Sequence, residues 1–333
     1  MRAGFAIGTA MVAAAGAAMA GNAIAQRSGA LQTLIEHAEE RRAKLADDPN
    51  MTLMKAPGDY RFSFVHGGLV REYLVHIPKS YGGTPAPMLI ALHGGGGDAD
   101  FQADDSRYKL ISKSEQAGFI AVFPNGYSRL PSGVLATWNA GTCCGAAQKN
   151  NVDDTGFLRE VILRVERQVN VERGHIYATG MSNGALMSWR LACEASDLIR
   201  AIAPVEGTDN TIECRPGRPV AVIEFHSLDD DHIPLNGGRG VSALTDTNFT
   251  SVRATELKWV GLDRADPEAT RVLNVGGAHC DLHPAKPGGA PIELCLTDTG
   301  GHSWPGGGSQ QGRKRPSSAI SANDLMWSFF SSL

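Results

Sequence analysis

Residues 175–193 read HIYATGMSNGALMSWRLAC. The first six are β-branched, aromatic and small, as a buried strand requires. From Ala185 onward the apolar positions Leu186, Met187, Trp189 and Leu191 keep a helical spacing. Between them sits Gly180-Met181-Ser182-Asn183-Gly184. In a strand–turn–helix setting, G-x-S-x-G is a sharp turn that holds its serine above the carboxyl end of a strand. The flanking glycines remove side chains that would clash there, and the helix N-terminus beneath the serine favours negative charge.

The segments on either side fit the sheet this turn needs. MLIALHGGGG (88–97) and FIAVFPNG (119–126) are continuous apolar strands, with a helical stretch at 105–117 between them. Residues 153–169 read as a helix opened by Asp153 and Asp154, where carboxylates suit the dipole. IRAIAPVEG (199–207) and RPVAVIEFH (218–226) are further strands, and 250–261 is helical. ATRVLNVG (269–276) and PIELCLT (291–297) read as a strand pair. The C-terminal ISANDLMWSFFSSL reads as a helix with Leu325, Phe329 and Phe330 toward the core. DYRFSFVHGG and LVREYLVHIP (59–78) form a hairpin at Gly67-Gly68. Strands alternating with helices predict an α/β fold, a mostly parallel central sheet with helices on both faces. Segments 125–150 and 232–250 read as loops over the site edge.

The chain has 333 residues, 42% hydrophobic and 20% charged, with a formal net charge of −4. This argues against nucleic acid or an anionic membrane as a partner, and no obligate protein partner is evident. Residues 1–25 carry one arginine, an alanine-rich apolar run and small residues at 18–20 and 23–25, the parts of a secretory signal peptide. Residues 26–59 form a leader with a charged helix at 28–48, and 60–333 a single catalytic domain. Six cysteines fit a secreted, extracellular or periplasmic protein. Sequence proximity pairs Cys193 with Cys214 and Cys280 with Cys295. Adjacent Cys143 and Cys144 then form a vicinal bridge or stay reduced. The cysteines lack zinc-ribbon spacing, and no metal or organic cofactor is expected.

A nucleophilic serine needs a base, a carboxylate and donors for an oxyanion. Upstream, Leu92-His93-Gly94-Gly95-Gly96-Gly97 bares backbone N–H groups after a strand. Gly95 is the expected second donor beside Asn183, and His93 belongs to that loop. Downstream, His226, His232, His279, His283 and His302 are candidate bases. His302, in the glycine-rich TDTGGHSWPGGG, is best placed to reach over the serine. His279 and His283 fall in a Gly/Pro-rich connection and read as exposed. His226 ends a strand and reads as lining the site. Asp229, Asp230 and Asp231 follow the 218–226 strand, and one of them can orient the imidazole. Trp138 and Trp304 either face the cleft as substrate-binding rings or pack in the core.

Taken together, ALHGGGG, WNAGTCCG, NVDDTGFL, YATGMSNGALMSWRLAC, the aspartate segment ending in PLNGG, and GGHSWPGG resemble the secreted polyhydroxybutyrate depolymerase and feruloyl esterase family of α/β-hydrolases. The resemblance runs from about residue 60 to the end. It implies ester hydrolysis through an acyl-enzyme, with Ser182 as nucleophile and His302 as base. The family's H-G-T-x-D pattern falls on His226-Ser227-Leu228-Asp229-Asp230, which favours Asp230. Ser227 and Leu228 depart from the pattern, so Asp229 and Asp231 stay open. The implied substrate is a feruloyl or acetyl ester of plant polysaccharide, with polyhydroxybutyrate or another polyester as the alternative. A serine peptidase and a non-catalytic binding protein on the same fold are the rival readings.

Overall fold

The computed structural model describes residues 53–309 and 314–333. The signal peptide expected at 1–25, and the leader helix at 28–48, lie outside the described residues. Among the described residues, no helix is long and apolar enough to cross a membrane.

Ten strands build one sheet. They are β1 (Gly58–His66), β2 (Leu69–Ile77), β3 (Ala86–Leu92), β4 (Ile120–Pro124), β5 (Val171–Met181), β6 (Ala201–Val205), β7 (Ala221–Ser227), β8 (Thr270–Val275), β9 (Ala278–His283) and β10 (Ile292–Thr297). The spatial order is β1-β2-β4-β3-β5-β6-β7-β10-β9-β8. The centre, from β4 to β10, is parallel. Antiparallel strands extend it at both edges. Strands β4, β6 and β7 are buried at every residue, as strands covered on two faces must be.

The helices are α1 (Ala99–Ala103), α2 (Asp105–Tyr108), α3 (Leu110–Ala117), α4 (Gly145–Lys149), α5 (Asp154–Gln168), α6 (Asn183–Glu194), α7 (Val252–Leu262) and α8 (Ala322–Ser331). Helices α5, α6 and α7 cover one face, packing Phe157, Leu186, Trp189 and Trp259 into one apolar cluster. Tyr108, Leu110, Met326 and Phe330 bring α2, α3 and α8 onto the other face. This is the layered α/β-hydrolase sheet the sequence predicts.

Three local readings need correction. The 105–117 helix is broken into α2 and α3 at Lys109, which takes a left-handed φ of 53°. The strands at 270–275 and 292–297 do not pair with each other. β9 lies between them, in a stretch whose Gly and Pro neighbours hide a six-residue strand. His279 and His283 therefore sit on a strand, and His283 is buried, with Nδ1–H donating to Asp266 O (2.7 Å) and Nε2 3.1 Å from Glu256. Finally, Asp153 and Asp154 do different work. Asp153 caps α5 by accepting the Gly156 N–H (2.9 Å). Asp154 is buried on Arg71 (2.7 Å) and accepts the Asn139 N–H (2.8 Å), so it fixes the loop that follows Trp138.

All six cysteines are bridged, as Cys143–Cys144, Cys193–Cys214 and Cys280–Cys295. Cys193–Cys214 ties the end of α6 to the segment after β6 and closes a 21-residue separation. Replacing both cysteines by serine is expected to cost about 2–4 kcal/mol. A thermal melt reads this as a Tm lower by several degrees. An unchanged melt would mean the bridge adds no stability.

Candidate active site

The strand order reverses beside β3 and β5, and in open α/β sheets the crevice outside such a reversal is where ligands bind. Ser182 stands there, between β5 and α6. Its φ of 57° and ψ of −120° place a non-glycine residue in a strained region, at a cost of order 1–3 kcal/mol. The surroundings hold it. Ser182 N–H donates to Val205 O of β6 (2.9 Å), and Ser182 O accepts the Leu186 N–H (3.0 Å). Both flanking glycines are required by close packing. A Cβ on Gly180 would stand 2.5 Å from the Gly184 carbonyl carbon, and one on Gly184 would overlap Leu92 O.

His302 arrives on the loop after β10, and its Nδ1–H donates to Asp230 Oδ2 (2.7 Å). That leaves Nε2 as the imidazole's basic nitrogen. The other oxygen of Asp230 accepts the N–H groups of His232 (2.7 Å) and Ile233 (3.0 Å). Burial alone would push the Asp230 carboxyl up; the hydrogen bond and charge of His302 outweigh it and hold Asp230 well below the usual carboxylate range. The neighbouring aspartates are engaged elsewhere. Asp229 accepts the Gly301 N–H (2.7 Å) and pairs with Lys314 (3.1 Å), so it pins the histidine loop. Asp231 accepts from His232 Nδ1–H (2.7 Å) and Ser242 (3.0 Å). The His232 ring stacks on His302, with centroids 4.5 Å apart and planes 9° from parallel.

On the other side of Ser182 is the glycine loop after β3. Gly96 and Gly97 spend their N–H groups on Ala136 O (2.8 Å) and Gly94 O (3.0 Å). Gly95 lies against Asn183: a Cβ built on it would be 3.6 Å from Asn183 Cβ. His93 is buried and braces the loop. Its Nδ1–H donates to Gly94 O (2.8 Å) and its Nε2 accepts the Gly126 N–H (2.9 Å). Burial pushes this histidine down to about 4, so it stays neutral and structural. The Asn183 side chain is locked to the Trp138 backbone by two reciprocal bonds of 2.7 and 3.0 Å.

Ser182, Asn183, Gly94–Gly97, His232 and His302 open into one cavity of about 380 Å³. Its apolar wall includes Phe101, Tyr108, Met181, Ile233, Leu244 and Phe249. Cys144 of the vicinal bridge is also part of the lining.

No protein-family model matches the sequence. Among curated proteins, the chain is 28% identical over 244 residues to feruloyl esterase B of Piromyces equi, covering 70% of this chain and 42% of that protein. It is 23% identical over 203 residues to a bifunctional acetylxylan esterase/xylanase of Neocallimastix patriciarum, covering 61% of this chain and 28% of that protein. This chain is a homologue of feruloyl and acetylxylan esterases. It spans less than half the length of either of these relatives. Among solved structures, the acetyl xylan esterase from Aspergillus awamori superposes with a TM-score of 0.53 at 14% identity, over 79% of this chain and 94% of that one, which shows the shared fold.

Against this esterase background, the tryptophans take different places from those in the substrate-facing expectation. Trp138 is fully buried, donates Nε1–H to His93 O (2.9 Å) and packs on the His93 ring. Trp304 is buried with Nε1–H on Asn323 (3.0 Å) and its ring edge-on to Tyr108 (5.3 Å). Neither lines the cavity; the Trp304 ring packs on Tyr108 and the Trp138 backbone holds Asn183, and both of those do. The phenyl and phenol rings at the site are Phe101 and Tyr108, in the short helices α1 and α2 after β3, and Phe249, in the connection before α7. His226 does not line the cavity either, being sealed behind Asp230. Glu206, just after β6, was not singled out by the sequence, yet lies in the same buried cluster as His226 and Asp230. Donor atoms of Asp230, His232 and His302 also fall within metal-binding reach of one another. The Nδ1–H groups of both histidines are already engaged by aspartates, and Asp230 Oδ1 by two N–H groups.

Proposed function

We propose that this protein is a secreted serine carboxylic-ester hydrolase that works through an acyl-enzyme on feruloyl or acetyl esters of plant polysaccharide. The observation that carries the mechanism is the His302–Asp230 bond of 2.7 Å opening into the same cavity as the strained Ser182. In this reading Asp230 holds the imidazole with Nδ1 protonated, so Nε2 takes the proton of Ser182 Oγ as the oxygen attacks the ester carbonyl. The oxyanion that forms is met by backbone N–H groups of Asn183, free at the first turn of α6, and of Gly95. Because Asn183 and the glycine loop are tied to Trp138 and His93, these donors need no rearrangement. The imidazolium returns its proton to the leaving alcohol, and water, activated by the same histidine, releases the acid. No step calls for a metal or organic cofactor.

The aromatic lining from Phe101, Tyr108 and Phe249 suits a planar phenolic acyl group, and similarity to feruloyl and acetylxylan esterases supports a plant-polysaccharide ester. Export is supported by the leader's composition and by three bridges, which persist in oxidising compartments. Purified protein, with Ser182→Ala as control, is expected to release ferulate from methyl ferulate or acetate from acetylated xylan, read by chromatography. Release of hydroxybutyrate alone from 3-hydroxybutyrate oligomers would replace the substrate assignment with a polyester. Cleavage of peptides with no ester preference would replace the reaction class.

A further inference from the structure

Glu206 follows β6 directly and holds a left-handed φ of 50° with its side chain fully buried. One of its oxygens, Oε2, accepts the Ser227 N–H (3.1 Å), while among the described residues no donor reaches Oε1. His226, which can carry positive charge, has its Nε2 3.7 Å from Glu206. That nitrogen's hydrogen is already given to Ile233 O (2.9 Å). Acidic groups are close as well. Asp230 shares a cluster with Glu206 and His226 whose polar atoms lie within 4.8 Å. Glu224, buried behind them, is 3.7 Å from His226 Nδ1, and it feels the charges of Asp209 and Glu256 in turn.

Two adjoining buried carboxyls do not both ionise. The donors decide which keeps its proton. Asp230 receives three N–H groups, from His302, His232 and Ile233. Glu206 receives one. Burial, then the charge of Asp230, push the Glu206 carboxyl well above the usual range, in line with that count.

We propose that Glu206 is a positioning residue of this site: it stays protonated and donates its carboxyl hydrogen to Asp230, so the pair presents a single negative charge to His302. The donated bond holds Asp230 in its orientation toward the imidazole. The missing second charge keeps the imidazole from being made too basic to release its proton. The inference rests on reading Ser182, His302 and Asp230 as the catalytic set.

Three measurements on the full chain test it. Infrared difference spectra of wild type against Glu206→Gln at neutral pH are expected to show a buried carboxylic-acid C=O band that the variant lacks. In Glu206→Gln the amide still donates, so kcat and the acidic limb of the kcat/KM–pH profile stay near wild type. In Glu206→Leu the donor is lost, and kcat falls about 10- to 100-fold with KM little changed. Absence of the band would overturn the proposal. So would an acidic limb shifted to lower pH in Glu206→Gln, since loss of a nearby negative charge destabilises the imidazolium. Full activity with an unshifted profile in Glu206→Leu would reduce Glu206 to core filling. The infrared band needs neither turnover nor a folded leucine variant. Were the catalytic set itself misread, Ser182→Ala would stay active while the band persisted.

Discussion

Ser182→Ala is expected to lower ester turnover by about 10⁴–10⁶-fold. The substitution removes the attacking oxygen and leaves the Cβ, so the strained backbone and the melting curve stay as they are. The measurement is kcat on methyl ferulate beside a thermal melt, with fluorophosphonate labelling as a second readout. Labelling is expected in the parent and lost in the variant. Substantial turnover in a folded variant would remove Ser182 from the mechanism. Failure of the folded parent to label would favour a non-catalytic binding protein on this fold.

Asp230→Asn carries the second largest expected effect, a loss of about 10⁴-fold in kcat. The amide would turn a donor toward His302 Nδ1, where the carboxylate now accepts. That selects the wrong tautomer, with Nε2 protonated and unable to take the serine proton. Asp229→Asn and Asp231→Asn are expected to stay close to the parent. Asparagine can still accept the Gly301 N–H at 229 and the Ser242 hydroxyl at 231. Steady-state kinetics of the three single variants rank them. A larger loss at 229 or 231 would move the acid to that position.

The local geometry around Ser182 was legible in the sequence as a strand, a turn and a helix. Glycine and serine are common in turns, so Gly180-Met181-Ser182-Asn183-Gly184 was readable only with the strand before it and the helix after it, and the glycine run read as a loop after β3. The parallel centre was legible because strands covered on two faces read as unbroken apolar runs. What was hidden depends on orientation and on distant partners. Three consecutive aspartates differ only in the way each points, and the chain folds them onto His302, Gly301 and His232 separately. Trp138 looks like a cleft residue by position, yet its ring is spent bracing His93. β9 was masked by the Gly and Pro residues around it. Glu206 gave no signal, since one glutamate after a strand has no pattern to mark it, and its meaning comes from a neighbour 24 positions away on the next strand's loop.

The cavity draws its parts from separate stretches of chain. Ser182, Asn183, His302 and the glycine loop stand at strand ends, each tied to buried supports. Ile233, Ala243, Leu244, Thr245 and Phe249, by contrast, all come from the single connection between β7 and α7. Leu244 is 87% exposed at its rim. The same connection also carries Asp230 and His232, so part of the cavity wall and the partner of His302 share one stretch of chain. Under the proposed mechanism, substitutions at Ala243, Leu244, Thr245 or Phe249 can reshape the wall, whereas a change of length before Ile233 would shift Asp230 against His302.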